Sequence, residues 1–301
     1  MTKNLRLLTL ADIHGNIKAV KRLVRKVKSS EIQVDMIVIA GDISQTVPLY
    51  LMLLYILGNQ SLSRRGYSKW VYKGKGRKRF VKEQIISVEA IVSQLLQISD
   101  KIIYTPGNTD TKDVIKYLKD NYGSQMHIID GNFETIGGYQ FIGLGGSLIH
   151  VDKEGQPICD YEFTRQEFSY RITRLLKGLV DKHIPRILVT HELPSFSYND
   201  INRKVSFQGG SQSISMLITK IKPIMHIFGH YHELAVKKQA QEVLYVNPGP
   251  MACYYYALIT LNGKKHRVYF RKMKPYILDT NSLIYSYRTP MNDNENKIRF
   301  L

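Results

Sequence analysis

The chain has 301 residues, of which 44% are hydrophobic and 23% are charged. These values exclude wholesale disorder and allow one large α/β domain or two modest ones. Two cysteines, Cys159 and Cys253, exclude a disulfide framework and a thiolate zinc site. The longest apolar run, residues 47–57, is too short for a transmembrane helix, and the first residues lack a signal-peptide pattern. We therefore expect a soluble, cytoplasmic protein without membrane contact.

The net charge of the chain is +18, with 43 Lys and Arg residues against 25 Asp and Glu residues. Half of this surplus lies in one segment, from Arg64 to Lys82, which holds nine basic residues and no acidic residue. Such a segment favours acidic partners through long-range attraction. It is equally consistent with a solvated loop and with a contact to an anionic substrate or nucleic acid.

Short apolar runs that end in polar residues recur along the chain and alternate with helical patterns. The first is a predicted buried strand, Leu5–Leu10, followed by a helix over Ile17–Ser29 whose apolar residues recur on one side. Met36–Ala40 and residues 101–105 are the next predicted strands. Further along, the pattern predicts strands at 139–144, 186–190, 223–228 and 244–246, a helix at 165–182, and a hairpin of 254–261 with 267–271.

This alternation of strands and helices predicts a layered α/β domain with a mainly parallel sheet. We expect the domain to span residues 1–275, with an insertion at about 48–98 that forms a basic helical cap. Residues 276–301 are expected to be a C-terminal extension. In open parallel sheets the carboxyl ends of the strands meet at one edge, where ligands bind.

Five of the predicted strand ends carry side chains of the kinds that bind metal ions. They are Asp12, His14, Asp42, Asn108, His191, His230 and His232. Taken singly, an Asp after a strand is commonly a helix N-cap, and a His is commonly a structural residue. Unrelated caps do not explain seven such residues at strand ends. Mixed oxygen and nitrogen donors suit Mn, Fe, Co, Ni or Zn.

The order of these residues resembles the pattern of the calcineurin-like metallophosphoesterase superfamily, which is D-x-H, G-D, G-N-H-[DE], H and G-H-x-H. The sequence has these blocks as Asp12-Ile13-His14, Gly41-Asp42, Gly107-Asn108-Thr109-Asp110, His191 and Gly229-His230-Tyr231-His232. The blocks run from residue 12 to residue 232, so the resemblance covers most of the chain. Two further blocks, Gly145-Gly146-Ser147 and Asn247-Pro248-Gly249-Pro250, resemble predicted cytoplasmic phosphoesterases related to cyclic-nucleotide phosphodiesterases.

The resemblance implies a four-layer sandwich of two mixed β-sheets flanked by helices, with the site at one edge. It implies two divalent ions, one on Asp12, His14 and His232, the other on Asn108, His191 and His230, with Asp42 bridging them. Two such ions lower the pKa of a bridging water and clamp the oxygens of an in-line displacement at phosphorus. We expect manganese first among the candidate metals, and catalytic roles for Asp42, Asn108, Thr109 and His191.

One position departs from the superfamily pattern, because Thr109 stands where G-N-H-[DE] has a His. That His ordinarily stabilises phosphoryl oxygens and protonates the leaving group, whereas Thr cannot act as an acid near neutral pH. Either the substrate has a good leaving group, another donor takes over, or catalysis is weakened in favour of binding. His150 is a candidate donor, although a structural role is favoured for it. Asp110 is expected to orient His14 or to cap the following helix.

Three functions are consistent with these features. The first is a binuclear metal-dependent phosphoesterase that hydrolyses an anionic phosphodiester or phosphomonoester, with a phosphorylated small molecule or a nucleotide as substrate. The second is a nuclease or nucleic-acid processing enzyme, favoured by the basic segment from Arg64 to Lys82 and its aromatic residues. The third is a non-catalytic metal-binding scaffold of the same fold, favoured by Thr109. The complete set of seven ligand-type residues favours the first function.

Overall fold

The computed structural model of the chain describes residues 2–45, 74–149, 159–179, 183–200, 205–232, 234–263, 265–274, 291–292 and 298–300. Its helices, α1 to α5 in chain order, are Ile17–Ser29, Arg77–Leu95, Lys112–Tyr122, Arg165–Gly178 and Gln212–Ile221. Strands β1 to β9 are Leu5–Leu10, Met36–Ala40, Ile102–Thr105, Met126–Ile128, Asn132–Ile136, Tyr139–Leu144, Ser147–Leu148, Glu162–Phe163 and Arg186–Thr190. Strands β10 to β18 are Phe196–Asp200, Val205–Gly209, Met225–Ile227, Ala235–Ala240, Val243–Asn247, Tyr255–Asn262, Lys265–Lys272, Met291–Asn292 and Ile298–Phe300. A short 3₁₀ helix covers Met251–Cys253.

Two large mixed sheets form the centre of the molecule, which confirms the predicted fold class. The first sheet has the strand order β16-β15-β1-β2-β3-β4, with β1 to β4 parallel and the β15–β16 hairpin antiparallel. The second has the order β17-β13-β14-β12-β9-β6-β5, with β14, β12, β9 and β6 parallel. Two small sheets, β11-β10-β18 and β7-β8, complete the described strands.

The central strands are apolar on both faces because each sheet is covered on both sides. Leu7, Val38 and Ile103 of the first sheet face Ile187 and Ile227 of the second across a fully buried core. Helices α1, α2 and α3 cover the outer face of the first sheet, and α4 and α5 cover the outer face of the second. This is the four-layer arrangement, in which the ligand-type residues lie at the ends of buried strands.

Helix α2 lies within the region that the sequence assigned to a basic cap. It connects β2 with the parallel strand β3 and buries Val88, Ile91, Val92 and Leu95 against the first sheet. This part of the expected insertion therefore belongs to the helical layer of the domain, because its apolar residues recur at helical spacing. Residues 46–73, with the apolar run 47–57 and most of the basic segment, lie outside the described residues.

The chain beyond residue 275 returns to the domain in two short strands. β17 pairs with β13 of the second sheet, and β18 pairs with β10, setting Phe300 opposite Phe196. The helix predicted at 165–182 ends earlier, at Gly178, because Leu179 has extended backbone and caps the helix. Among the described helices, none is long and apolar enough to cross a membrane.

The buried His226 of β12 makes the stability of the fold sensitive to acid. Its Nε2 lies 2.7 Å from Thr190 Oγ1, and burial lowers the pKa of the ring to about 3. Because this folded-state pKa lies below the unfolded value of about 6.5, neutral His226 stabilises the fold fully above that pH. The stabilisation is lost as the pH falls from about 6.5 towards 3.

We predict that His226→Gln weakens the pH dependence of unfolding. Between about pH 6 and pH 4, the free energy of unfolding in urea should fall more steeply for the wild type, by up to about 1.4 kcal/mol per pH unit. His127→Gln on β4 is the control for replacing a histidine at a half-buried position. Equal slopes for the wild type and His226→Gln would contradict the prediction.

Candidate metal centre

The carboxyl ends of five parallel strands meet at one edge of the sandwich. Strands β1, β2 and β3 of the first sheet and β9 and β12 of the second all end there. Within the second sheet Gly229 N donates to His191 O at 3.2 Å, and across the two sheets His230 N donates to the carboxylate of Asp12 at 3.1 Å. This edge brings together the seven side chains singled out in the sequence.

Asp12, His14 and His232 form the first cluster. The Nε2 atoms of the two imidazoles lie 3.0 Å apart, and Asp12 Oδ1 lies 3.4 Å from His232 Nε2 and 4.0 Å from His14 Nε2. Asp12 and His14 are buried, while His232 is half-buried at the opening of the site. Three potential ligand atoms therefore face a common point.

Asn108, His191 and His230 form the second cluster. His191 Nε2 lies 3.0 Å from Asn108 Oδ1 and 3.2 Å from His230 Nδ1. Asp42 stands between the two clusters, with Oδ2 3.4 Å from His191 Nε2 and 3.8 Å from His14 Nε2. One carboxylate oxygen thus lies within reach of ligand atoms from both clusters.

The spacing of these atoms fits divalent ions. Two ligand atoms that each lie about 2.1 Å from one ion are roughly 3.0–3.4 Å apart in octahedral or tetrahedral geometry. The closest nitrogen and oxygen atoms of both clusters have this spacing. Potential ligand atoms of Asp12, Asp42 and His191 also lie within 4.8 Å of one another, which places the two clusters next to each other. The donor atoms of each cluster therefore have a spacing compatible with a divalent ion.

Four of the seven residues have left-handed backbone. The φ angles are 51° at Asp12, 47° at His14, 51° at Asp42 and 71° at His230. This conformation costs about 1–2 kcal/mol for each residue other than glycine. It persists only where the surroundings hold it, here through hydrogen bonds such as His14 N to Asp42 O at 2.9 Å. Strain of this kind is typical of functional sites.

Two glycines allow the ligand loops to approach one another. A Cβ at Gly41 would lie 2.1 Å from His191 Nδ1, and a Cβ at Gly107 would lie 2.0 Å from Asp42 Oδ1. Both distances are far inside van der Waals contact, and Gly41 also has a φ of 87°. Only glycine therefore fits at these two positions, where the backbone presses against a ligand-type side chain.

The electrostatics of the site favour positive charge beside Asp42. Burial alone would raise the pKa of Asp42, but the charge of His191 holds that pKa well below its usual range. Burial likewise disfavours the His191 cation, yet the charge of Asp42 raises the His191 pKa to about 10. Burial chiefly lowers the pKa of His14 to about 4 and that of His230 to about 3, so these rings are neutral. Neutral imidazole is the form that binds metals.

A family model described as metallophosphoesterase, calcineurin superfamily, matches residues 1–271. The chain belongs to this superfamily. One crystal structure is 17% identical with a TM-score of 0.63 and covers 90% of this chain and 100% of its own. A protein of Thermus thermophilus is 16% identical with a TM-score of 0.54, covering 89% of this chain and 99% of its own. No curated protein is significantly similar in sequence.

A calcineurin-like phosphoesterase from Bacillus subtilis is a further solved structure similar to this metallophosphoesterase. It is 14% identical with a TM-score of 0.46, and the similarity covers 94% of this chain and 96% of that protein. The two structures with TM-scores above 0.5 support the fold alone, because their identities are low. Function must therefore be argued from the site of this chain.

One residue of the motif blocks, Asp110, has a role other than those expected. Asp110 neither orients His14 nor caps the following helix, since Thr111 is the N-cap of α3. The Asp110 carboxylate instead accepts hydrogen bonds from Ser44 N at 3.0 Å, from Gly107 N at 2.9 Å and from the hydroxyl of Tyr104. It thereby fixes the loops that carry Asp42 and Asn108 to each other. The candidate donor His150 lies outside the described residues.

The two additional motif blocks support the ligand loops from behind. Gly146 N donates to Pro106 O at 2.9 Å, next to the Gly107-Asn108 turn. In the second block Asn247 Nδ2 donates to Tyr231 O at 3.3 Å, and just past that block Ala252 N donates to Asp12 O at 3.0 Å. The first block therefore supports the backbone at Asn108, and the second supports the backbone at Asp12 and beside His232.

Gln84 of α2 is a residue of this metallophosphoesterase that the sequence did not single out. Its side chain is fully buried, and Nε2 donates to Gln45 O at 2.9 Å and to Thr109 O at 3.0 Å. Its Oε1 accepts from Thr111 Oγ1 at 2.9 Å. Gln84 therefore links the loop after Asp42 to the loop after Asn108. A glutamine among the apolar core positions of a helix was the available signal.

We predict that Gln84→Met weakens metal binding by about tenfold or more, because supporting residues of this kind are worth roughly 10–100-fold in metal affinity. Methionine fills a similar volume but cannot bond either loop. The measurement is the affinity for Mn²⁺ by calorimetry, with Gln94→Met on the same helix as control, since Gln94 is only half-buried. If both variants bind Mn²⁺ as the wild type does, Gln84 does not support the site.

Proposed function

We propose that the chain is a binuclear metal-dependent phosphoesterase that hydrolyses an anionic phosphodiester or phosphomonoester by a metal-activated water. Membership in the metallophosphoesterase superfamily supports metal-dependent hydrolysis of a phosphoric ester. The observation that carries the binuclear form is the position of Asp42 Oδ2, between His14 and His191 of the two clusters. In this proposal Asp12, His14 and His232 would hold one ion, and Asn108, His191 and His230 would hold the other. Asp42 would contact both ions.

The protein's own groups hold the ligands in the orientation that this assignment needs. Thr109 N donates to Asp42 Oδ1 at 2.9 Å, which leaves Oδ2 directed at the clusters. His191 Nδ1 donates to Ala40 O at 3.1 Å, which leaves Nε2 directed at the second cluster. Two bound divalent ions would supply a water of lowered pKa and would polarise the phosphoryl oxygens. Manganese is the first candidate, followed by Fe, Co, Ni and Zn.

Thr109 limits what the chain can do for the leaving group. Its backbone amide supports Asp42, and its hydroxyl can donate a hydrogen bond to a phosphoryl oxygen but cannot supply a proton near neutral pH. Phosphorylated small molecules with acidic leaving groups need no general acid, whereas a nucleotide or other ester of a sugar hydroxyl needs a proton donor other than Thr109. We expect this activity in the cytoplasm.

The proposal is tested by hydrolysis of bis(p-nitrophenyl) phosphate with and without Mn²⁺. We predict that turnover requires the ion and that Asp42→Asn lowers it by at least about 100-fold, since the amide removes the charge between the clusters. Asp120→Asn on the exposed face of α3 is the matched control and should retain wild-type turnover. Turnover that survives chelation of metals, or full activity of Asp42→Asn, would rule the proposal out.

A further inference from the structure

Strand β16 presents a row of basic and aromatic side chains at the edge of the first sheet. Its alternate residues Lys265, Arg267, Tyr269 and Arg271 are exposed, whereas Val268 faces the core between the sheets. Tyr269 is 45% exposed, and the guanidinium of Arg271 lies 5.9 Å from the centre of its ring. The strand contains four Lys and Arg residues and no acidic residue.

This row lies on the same side of the sheet as α1. In the register of the hairpin, Tyr269 is opposite Leu258 and Arg271 is opposite Tyr256. Both β15 side chains contact the apolar core that α1, α2 and α3 cover. Directly paired residues of antiparallel strands point to the same face. The exposed side chains of β16 therefore continue the surface on which α1 lies.

The flank of α1 on the side of β15 and β16 is also basic. The helix Ile17–Ser29 contains six Lys and Arg residues and no acidic residue. Lys28 Nζ donates to Gln97 Oε1 at 3.0 Å, just beyond α2, so this flank of α1 faces α2. Lys26 lies about 160° around the helix from Lys28, and Arg22 about 120°, so both lie away from α2, on the side where the first sheet continues from β1 into β15 and β16.

Three cations of this surface have no acidic partner in the described part of the chain. Lys26, Lys265 and Arg267 form no ion pair with any described residue. Alternate residues of a strand are about 7 Å apart, comparable to successive phosphates in an extended nucleic acid strand. An exposed tyrosine among the cations gives a base a ring to stack on.

The surface also leads to the metal centre. Helix α1 begins directly after His14 and its N-cap Asn16, whose Nδ2 donates to Ala252 O at 2.9 Å. The last residue of β16, Lys272, is opposite Tyr255, which follows the same 3₁₀ turn. Helix α1 therefore begins, and strand β16 ends, near the edge that carries the seven ligand-type residues. The eight residues of β16 span about 26 Å, enough for about four nucleotides of a bound strand.

We propose that the outer face of β16 and the Arg22–Lys26 flank of α1 bind a single strand of nucleic acid and direct it to the metal centre. This inference rests on the proposed function only where it names the substrate of that site. Cations spaced along the strand contact phosphates, and Tyr269 stacks on a base. Binding is independent of base sequence, because phosphate contacts and stacking on a ring are open to every nucleotide.

The test is fluorescence anisotropy of a labelled oligo(dT) of about 12 nucleotides with the full chain in EDTA, at about 50 to 200 mM NaCl. Arg267→Glu/Arg271→Glu should weaken binding at least about tenfold and flatten its salt dependence. Tyr269→Ala should weaken it at least about fivefold. The charge-matched control Lys177→Glu/Lys220→Glu changes residues of α4 and α5 in the opposite layer and should bind as the wild type does.

Equal losses in the β16 variant and the control would overturn the inference, because binding would then follow net charge alone. Binding of phosphatidylserine vesicles that depends on Arg267 and Arg271, without such dependence for the oligonucleotide, would overturn it in favour of a membrane surface. Asp42→Asn separates this inference from the proposed function, since it should lose hydrolysis yet bind the oligonucleotide in EDTA like the wild type. If the protein hydrolyses bis(p-nitrophenyl) phosphate with Mn²⁺ but does not bind the oligonucleotide, the proposed binding surface is wrong and the proposed function stands.

Discussion

The carboxylate of Asp42 lies between His14 of the first sheet and His191 of the second, at 3.8 and 3.4 Å from their Nε2 atoms. Buried charge of this kind is stable only with a compensating partner. His191 is such a partner, and the charge of Asp42 raises the pKa of His191, so the site favours positive charge. The left-handed backbone of Asp42 and the glycine at position 107 follow from holding this carboxylate in place.

The loops around Asp42 are held by the crossover helix as much as by the strands. Gln84 bonds the carbonyls of Gln45 and Thr109, and Ser87 Oγ accepts from Gln45 N at 3.3 Å. A Cβ at Gly15 would lie 2.8 Å from Gln45 Cβ, so the same loop also abuts the turn after His14. Helix α2 thus bonds two ligand loops that lie far apart in the sequence and reaches the turn after His14 through Gln45.

The sequence predicts the fold class and the positions of the ligand-type residues because both depend on local patterns. Buried strands such as Leu5–Leu10 and Met36–Ala40 are short apolar runs, and polar residues at their ends are visible as such. The role of Gln84 could not be predicted, since a polar core residue acquires its partners only when distant loops meet. The same holds for Asp110, which bonds Ser44 rather than His14. The basic face of β16 could not be predicted either, because it depends on the pairing register with β15, which the periodicity of the sequence does not give.

The central claim is that Asp42 lies between two metal ions, and anomalous diffraction from crystals grown with Mn²⁺ tests it most directly. The account predicts two anomalous peaks about 3.5–4 Å apart, both within bonding distance of the Asp42 carboxylate. One peak should also contact Asp12, His14 and His232, and the other Asn108, His191 and His230. A single peak, or two peaks that do not share Asp42, would contradict the account.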